Sequence, residues 1–213
     1  RSFFGNAKTF FFDHFLQIIR LHKKSIISRS TLRKVLSDLV PVETFEELKI
    51  PLKVCATELN SGKNITYDSG DLITAIVRSC SIPGIIEPTI QNKNIIVDGG
   101  VYLPIPVQVL KDKCNYTIAV DISQNELPVL KNINMINLKG RSDLITSNHL
   151  KNLLSEQADF MLKPNTLGSH WSSFHKSHLL IKEGEIEVQN KIDSLKVILE
   201  KVNFVDKSKE RLS

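Results

Sequence analysis

Residues 51–59, PLKVCATEL, and residues 94–106, NIIVDGGVYLPIP, decide how the rest of the chain is read. Each opens on a short apolar run bounded by turn residues, the pattern of a buried strand. Between them, Asn60-Ser61-Gly62-Lys63 turns the chain into a short strand at Ile65–Tyr67. Ser69 or Asp68 is the expected N-cap of a helix through Leu72, Ile73, Ile76 and Val77, ended by Ser81-Ile82-Pro83-Gly84. Ile85–Ile90 and Asn94–Val97 then form a hairpin about Gln91-Asn92-Lys93. Downstream, the spacing predicts a helix over Ile105–Lys111 with Pro104 and Pro106 near its start, a β run at Tyr116–Ile122 and a strand at Met135–Leu138. A helix near 143–157, a strand at Asp159–Lys163 and a long helix from about 176 to 201 complete the series. Upstream, Ser30 precedes a helical pattern of Leu32, Val35, Leu36 and Leu39 that stops at Pro41, and residues 44–50 connect it to the first strand. Short strands alternating with helices predict an α/β fold.

The 213 residues include 28 Lys+Arg against 23 Asp+Glu, a net charge of +5, and 41% of them are hydrophobic. That length and apolar content suit one packed domain and exclude disordered, collagenous and rod-like coiled-coil classes. Three cysteines at wide spacing, Cys55, Cys80 and Cys114, argue against a disulfide framework and for a reducing, cytoplasmic setting in which all three are small buried hydrophobes. The chain opens RSFFGNAKTFFFDHFLQIIR, without the layout of a secretory signal, and holds no apolar run long enough to span a bilayer. No basic block interleaves with aromatics, so nucleic acid is not an expected partner, whereas the mild positive charge suits peripheral contact with anionic lipid.

The chemistry-bearing segment is Ile95-Ile96-Val97-Asp98-Gly99-Gly100. A carboxylate at the tip of a buried strand, followed by glycines that permit positive φ and close backbone approach, is one way α/β proteins present a catalytic acid. Asp-Gly is also the commonest hairpin turn dipeptide, so spacing alone leaves a plain turn open.

The surrounding text resembles the bacterial patatin-like phospholipase, or lipid acyl hydrolase, family. The likeness runs over IPLKVCATELNSGKNITYDSGDLITAIVRSCSIPGIIEPTIQNKNIIVDGGVYLPIPVQVLKDKCNYTIAVDIS and resumes at ADFMLKPNTLGSHWSSFHKSHLLIKEGEIEV. It rests on landmarks in order: a strand ending ATEL, a D-S-G before a helix, S-I-P-G, V-D-G-G followed by proline, and a strand ending V-D-I-S. The resemblance implies a three-layer α/β fold with a central, mostly parallel sheet, and a serine hydrolase cleaving acyl esters of phospholipids or related lipids without a cofactor. It implies a Ser–Asp dyad in which Asp98 accepts the serine proton, with Gly99 and Gly100 completing the motif, and a hydrogen-bonding structural role for Asp121. The family's G-x-S-x-G elbow and upstream glycine-rich oxyanion loop do not occur in the 213 residues. The expectation is therefore the C-terminal part of such a domain, its N-terminal part missing, with the nucleophile outside the chain and the isolated chain inactive. On this reading residues 1–45 are a helical cap-like segment, 46–201 the partial α/β domain and 202–213 a disordered tail. A non-catalytic lipid-binding or peripheral membrane protein that keeps part of the fold is the alternative.

Two further features carry less. His170, His175 and His178 cluster in sequence but lack Cys, Asp or Glu partners at ligand spacing, so no metal is expected. Residues 1–24 hold six of the ten phenylalanines, and Phe11, Phe12, Phe15, Leu16 and Ile19 fall at helical spacing. Such an amphipathic helix either packs on the fold or, by the resemblance, lines an acyl channel or touches a bilayer.

Overall fold

The computed structural model describes residues 25–123, 127, 129, 130, 132–169 and 172–210, the last ten by backbone alone. The Phe-rich helix expected within 1–24, and His170, lie outside the described residues. The chain divides into two compact units, Arg1–Tyr102 and Leu103–Ser213, and its fold is mixed α/β.

The first unit begins with helix α1, Arg29–Leu39, whose N-cap is Ser28 rather than Ser30: the Ser28 hydroxyl accepts the Thr31 N–H at 3.2 Å, so Ser30 already lies inside the helix. It ends at Val40, where Pro41 disfavours helical backbone in the residue before it. A 3₁₀ turn, Phe45–Glu47, follows within the expected connector. Strands β1 (Val54–Glu58) and β2 (Lys63–Tyr67) form a hairpin over a turn in which Gly62 takes φ +64. Helix α2, Leu72–Ser79, is capped by Asp71, which accepts the Thr74 N–H at 2.7 Å. The expected caps, Asp68 and Ser69, precede Gly70, whose φ of +78 turns the chain before the helix can start. Strands β3 (Thr89–Gln91) and β4 (Asn94–Asp98) close a second hairpin across Asn92 and Lys93, both at positive φ, as a two-residue primed turn requires.

These strands make one sheet in the order β2-β1-β4-β3, antiparallel throughout. The expected mostly parallel central sheet is not what these strands build. Tight turns join β1 to β2 and β3 to β4, and a tight turn can only join antiparallel neighbours. Leu72, Ile73, Ala75 and Val77 are the buried face of α2, and Leu72 and Ala75 pack with Phe45 and Val54 in the core of this unit. Each large apolar side chain so buried contributes roughly 1.5–3 kcal/mol. The Arg78 guanidinium sits 5.2 Å from the Tyr67 ring centroid and donates to Gln91 Oε1 at 2.6 Å, clipping α2 across the sheet.

In the second unit, strands β5 (Ile118–Val120) and β6 (Phe160–Leu162) are a parallel pair, with Ile118 opposite Phe160. Helix α3, Met135–Ser155, connects them, and helix α4, Ser177–Glu210, follows β6 and continues through 202–210. Two expected elements change character here. Met135–Leu138 is not a strand but the first turn of α3, because Asn134 accepts the Asn137 N–H at 2.8 Å and nucleates a helix where apolar content alone suggests a strand. The Ile105–Lys111 helix shrinks to a 3₁₀ turn at Val107–Val109: the Val109 and Leu110 N–H groups bond back three residues, to the Pro106 and Val107 carbonyls, and close a tighter turn than an α-helix. Ile105, Val107 and Ala119 form the core of this unit with Ala158 and Met161 against them. Of the cysteines, Cys55 is buried, Cys80 half-buried and Cys114 exposed, all three free thiols, so the expectation of three buried ones holds for Cys55 alone. No helix among the described residues is long and apolar enough to cross a membrane.

Glu58 ties the sheet together. At the end of β1 and only 6% exposed, its carboxylate accepts the N–H groups of Asn60 (3.0 Å), Ser61 (2.7 Å) and Ile95 (3.2 Å). The Ser61 side chain and these N–H groups hold its pKa at about 2, against 4.5 for an ordinary Glu. A carboxyl group lowered on folding adds stability above its unfolded pKa and loses it as pH falls towards the folded one. Urea unfolding between pH 5 and 2 should therefore show stability declining with acid, over the window from 4.5 down to about 2. Glu58→Gln should be less stable at neutral pH and flatter across that window.

Candidate functional site

The site is built on the last residue of β4 and the turn that leaves it. Asp98 pairs with Ala56 of β1, donates its own N–H to the Ser81 carbonyl at 3.0 Å and begins a 3₁₀ turn, Gly99–Val101. Its Oδ1 accepts the Gly100 N–H at 2.6 Å, which turns the carboxylate back over the start of that turn. Among the described residues the carboxylate has no other hydrogen-bond partner and no cation paired with it. Burial raises its pKa above the usual aspartate value, and the Gly100 N–H opposes this. Burial, with the Asp98 charge nearby, also raises the Cys80 thiol, so the half-buried Cys80 shares the surroundings of the carboxylate.

The two glycines play different parts. A Cβ on Gly99 would stand 2.7 Å from the Cys55 carbonyl carbon, and closer still to its oxygen, so only glycine lets the turn lie against β1. Gly100 is exposed, and a Cβ there would meet only Asp98 Oδ1, at 3.0 Å. Neither takes positive φ; close approach and an unobstructed N–H are what this turn draws from them. Ser81, read in the sequence only as part of a helix stop, is fully buried, donates to the Val77 carbonyl at 2.8 Å and offers the carbonyl that anchors Asp98. No local pattern signals that anchor, because its partners stand seventeen positions apart, 98 − 81 = 17.

Asp121 lies in the second unit, just past β5. Its N–H donates to the Leu162 carbonyl at 2.8 Å, and its Oδ1 accepts from the Ser123 N–H (2.9 Å) and hydroxyl (2.5 Å). Lys151 Nζ stands 3.2 Å from Oδ2, an ion-pair distance without hydrogen-bond alignment, and donates to Ser123 Oγ at 2.7 Å. Burial opposes ionisation of Asp121, but Ser123 and Lys151 outweigh it and the pKa is lowered. Among the described residues no three His, Cys, Asp or Glu side chains gather in a way that could hold a metal ion.

Comparison with known proteins follows these contours. The sequence profile of patatin-like phospholipases matches residues 2–111, a span that includes β1 through the Asp98 turn. A protein of Mycobacterium bovis and proteins of two strains of Mycobacterium tuberculosis, each described as an uncharacterised NTE family protein, are 35% identical to the chain over 115 residues. Those residues make up 51% of this chain and 32% of each relative, so the chain spans about a third of the length of the curated relatives it matches.

Two substitutions check the geometry. Gly99→Ala should force β1 and the turn apart and cost about 1–3 kcal/mol in urea unfolding, as overpacking does; Gly100→Ala should cost less. Asp121→Asn removes the carboxylate charge that stands 3.2 Å from the buried Lys151 ammonium and should lower stability in urea unfolding by more than Gly100→Ala does.

Proposed function

The chain belongs to the patatin-like phospholipase family, and on that footing we propose that it is part of a hydrolase of lipid acyl esters in which Asp98 takes the proton of a serine nucleophile. The observation that carries this is the state of the Asp98 carboxylate: half-buried, raised in pKa, and engaged among the described residues only by an N–H of its own turn. Such a group accepts a proton more readily than a solvated aspartate. Glu58, with three N–H donors, and Asp121, with the Ser123 donors and the Lys151 charge, are both lowered in pKa and suit structure rather than proton transfer.

The reaction divides into balanced steps. As the serine oxygen attacks the ester carbonyl, its proton passes to Asp98; the proton then goes to the departing alcohol, leaving an acyl-enzyme. Water attacks that ester with Asp98 again receiving the proton, and the proton returns to serine as the fatty acid leaves. The 213 residues contain no G-x-S-x-G string, and the nucleophile and oxyanion donors belong, on this reading, to polypeptide beyond them.

Hydrolysis of p-nitrophenyl butyrate tests the assignment. The 213-residue chain should show no turnover above that of its Asp98→Asn variant, and turnover abolished by that substitution in this chain alone would overturn the placing of the nucleophile. In a longer product of the same gene that carries an elbow, Asp98→Asn should lower kcat by about 10²–10⁴-fold. The acid limb of its pH profile should lie above the ordinary aspartate value of 3.8. An unchanged kcat would remove Asp98 from the mechanism.

A further inference from the structure

At the carboxyl ends of β5 and β6 the second unit carries apolar side chains that nothing among the described residues covers. Ile122, two residues past β5, is 73% exposed, and Phe174, in a 3₁₀ turn at Phe174–Lys176 ahead of α4, is 77% exposed. Both line one cavity of about 300 Å³, so the two stand on the same surface. Thr166 and Ser169 line it as well, and the turn between them carries a third such side chain, Leu167, at 38% exposed.

Leu167 is held there against its own backbone preference. It takes φ +52 and Gly168 takes +58, in a turn closed by the Ser169 N–H on the Thr166 carbonyl at 2.8 Å. Asn165 Oδ1 accepts the Leu167 N–H at 2.9 Å and fixes the conformation. Left-handed backbone is ordinary for glycine or asparagine and strained for leucine, whose Cβ crowds the following carbonyl. No deep burial of the side chain offsets that strain. A strained residue that packing does not explain points to a use outside the fold.

Charge distinguishes what that use is. From Lys163 to Lys182 the chain has three lysines and no aspartate or glutamate; the first acid is Glu183, in the second turn of α4. The Lys163 and Lys176 ammonium groups have no ion-pair partner among the described residues. Glu187, whose Oε1 accepts the Lys163 backbone N–H, is neutralised by Lys191, and the buried Asp121 by Lys151. Protein interfaces are depleted in lysine, whereas the surface of an anionic bilayer attracts it. Apolar side chains standing apart on separate loops also suit insertion among lipids better than a complementary protein contact.

We propose that this end of the second unit is a membrane-docking surface, in which Ile122, Leu167 and Phe174 enter the interface of an anionic bilayer while Lys163 and Lys176 meet its surface charge. It draws neither on Asp98 nor on hydrolysis, and its failure would leave the Asp98 assay untouched.

Sedimentation of the 213-residue chain with vesicles of ether-linked lipids tests this, because such lipids have no acyl ester and binding to them is not engagement of an ester substrate. The chain should bind vesicles of ether-linked phosphatidylcholine mixed with ether-linked phosphatidylglycerol, and bind the phosphatidylcholine alone more weakly. Phe174→Ser and Ile122→Ser should each weaken binding to the mixed vesicles about tenfold, as loss of a large inserted apolar group does. Lys176→Gln should weaken it about fivefold on mixed vesicles alone. Leu167→Gly separates docking from folding: it should raise stability in urea unfolding, because glycine accepts the positive φ, and still weaken vesicle binding. Ile50→Ser removes a side chain that is 79% exposed in the first unit and should leave binding unchanged. Absence of binding to the mixed vesicles overturns the proposal, and Phe174-dependent self-association in size-exclusion chromatography would then assign the surface to contact between copies. Binding unaltered in both Phe174→Ser and Leu167→Gly, or lost equally in Ile50→Ser, overturns it too, and equal binding to the two kinds of vesicle overturns the anionic assignment.

Discussion

The contact on which the first unit turns is that of Gly99 with the Cys55 carbonyl of β1. Strand β4 could pair with β1 through its ladder alone, but a ladder does not determine where the chain goes next. Pressing Gly99 flat against β1 does: it starts the 3₁₀ turn at once, brings the Gly100 N–H round to the Asp98 carboxylate and stops the side chain from swinging along the strand. The Ser81 carbonyl holds the same residue from the other side through its N–H. Asp98 is thus fixed by its backbone on two sides while most of its hydrogen-bonding capacity stays uncommitted. Rigidity and unmet hydrogen-bonding demand are combined in this one side chain.

Comparison of the three strand-end carboxylates shows how environment assigns roles. Glu58 has three backbone N–H groups aimed at it and is held at about 2. Asp121 has the Ser123 N–H and hydroxyl, and the Lys151 charge. Both are spent in holding loops, and protonating either would break several hydrogen bonds. Asp98 has one N–H and a desolvating surround, so protonation costs it little. The same chemical group in a similar topological position is held ionised or left easy to protonate according to how many donors converge on it.

Features governed by chemistry a few residues long are legible in the sequence. The β3–β4 turn at Asn92 and Lys93, the stop of α1 before Pro41 and the glycine needed beside Asp98 all follow from local conformational cost. Where two local signals compete, the spacing of apolar residues misleads: the Asn134 cap wins at Met135–Leu138, and Gly70 moves the start of α2 to Asp71. Strand direction is harder still to read, because periodicity reports burial and not pairing, and the antiparallel order β2-β1-β4-β3 emerges only when turn lengths are set beside register. Least legible are juxtapositions across long separations. Arg29 and Thr89 line one cavity although they stand sixty positions apart, 89 − 29 = 60, and neither carries a motif.

The second unit solves a different problem. A parallel pair cannot close itself with a tight turn, and α3 supplies the crossover between β5 and β6. That leaves the outer edge of β6 with unpaired backbone groups. The Phe160 N–H and Leu162 carbonyl point to β5, where they meet the Thr117 carbonyl and the Asp121 N–H, so the groups that face away include the Met161 carbonyl and the Lys163 N–H. Helix α4 answers both with side chains. Lys191 Nζ donates to the Met161 carbonyl at 2.9 Å, and Glu187 Oε1 accepts the Lys163 N–H at 2.7 Å. Glu187 and Lys191 are one helical turn apart and 2.8 Å from each other, so the pair that satisfies the strand edge also neutralises itself. One turn of helix thereby supplies the donor and the acceptor that a third strand would bring, and blunts an edge that would otherwise pair with another chain.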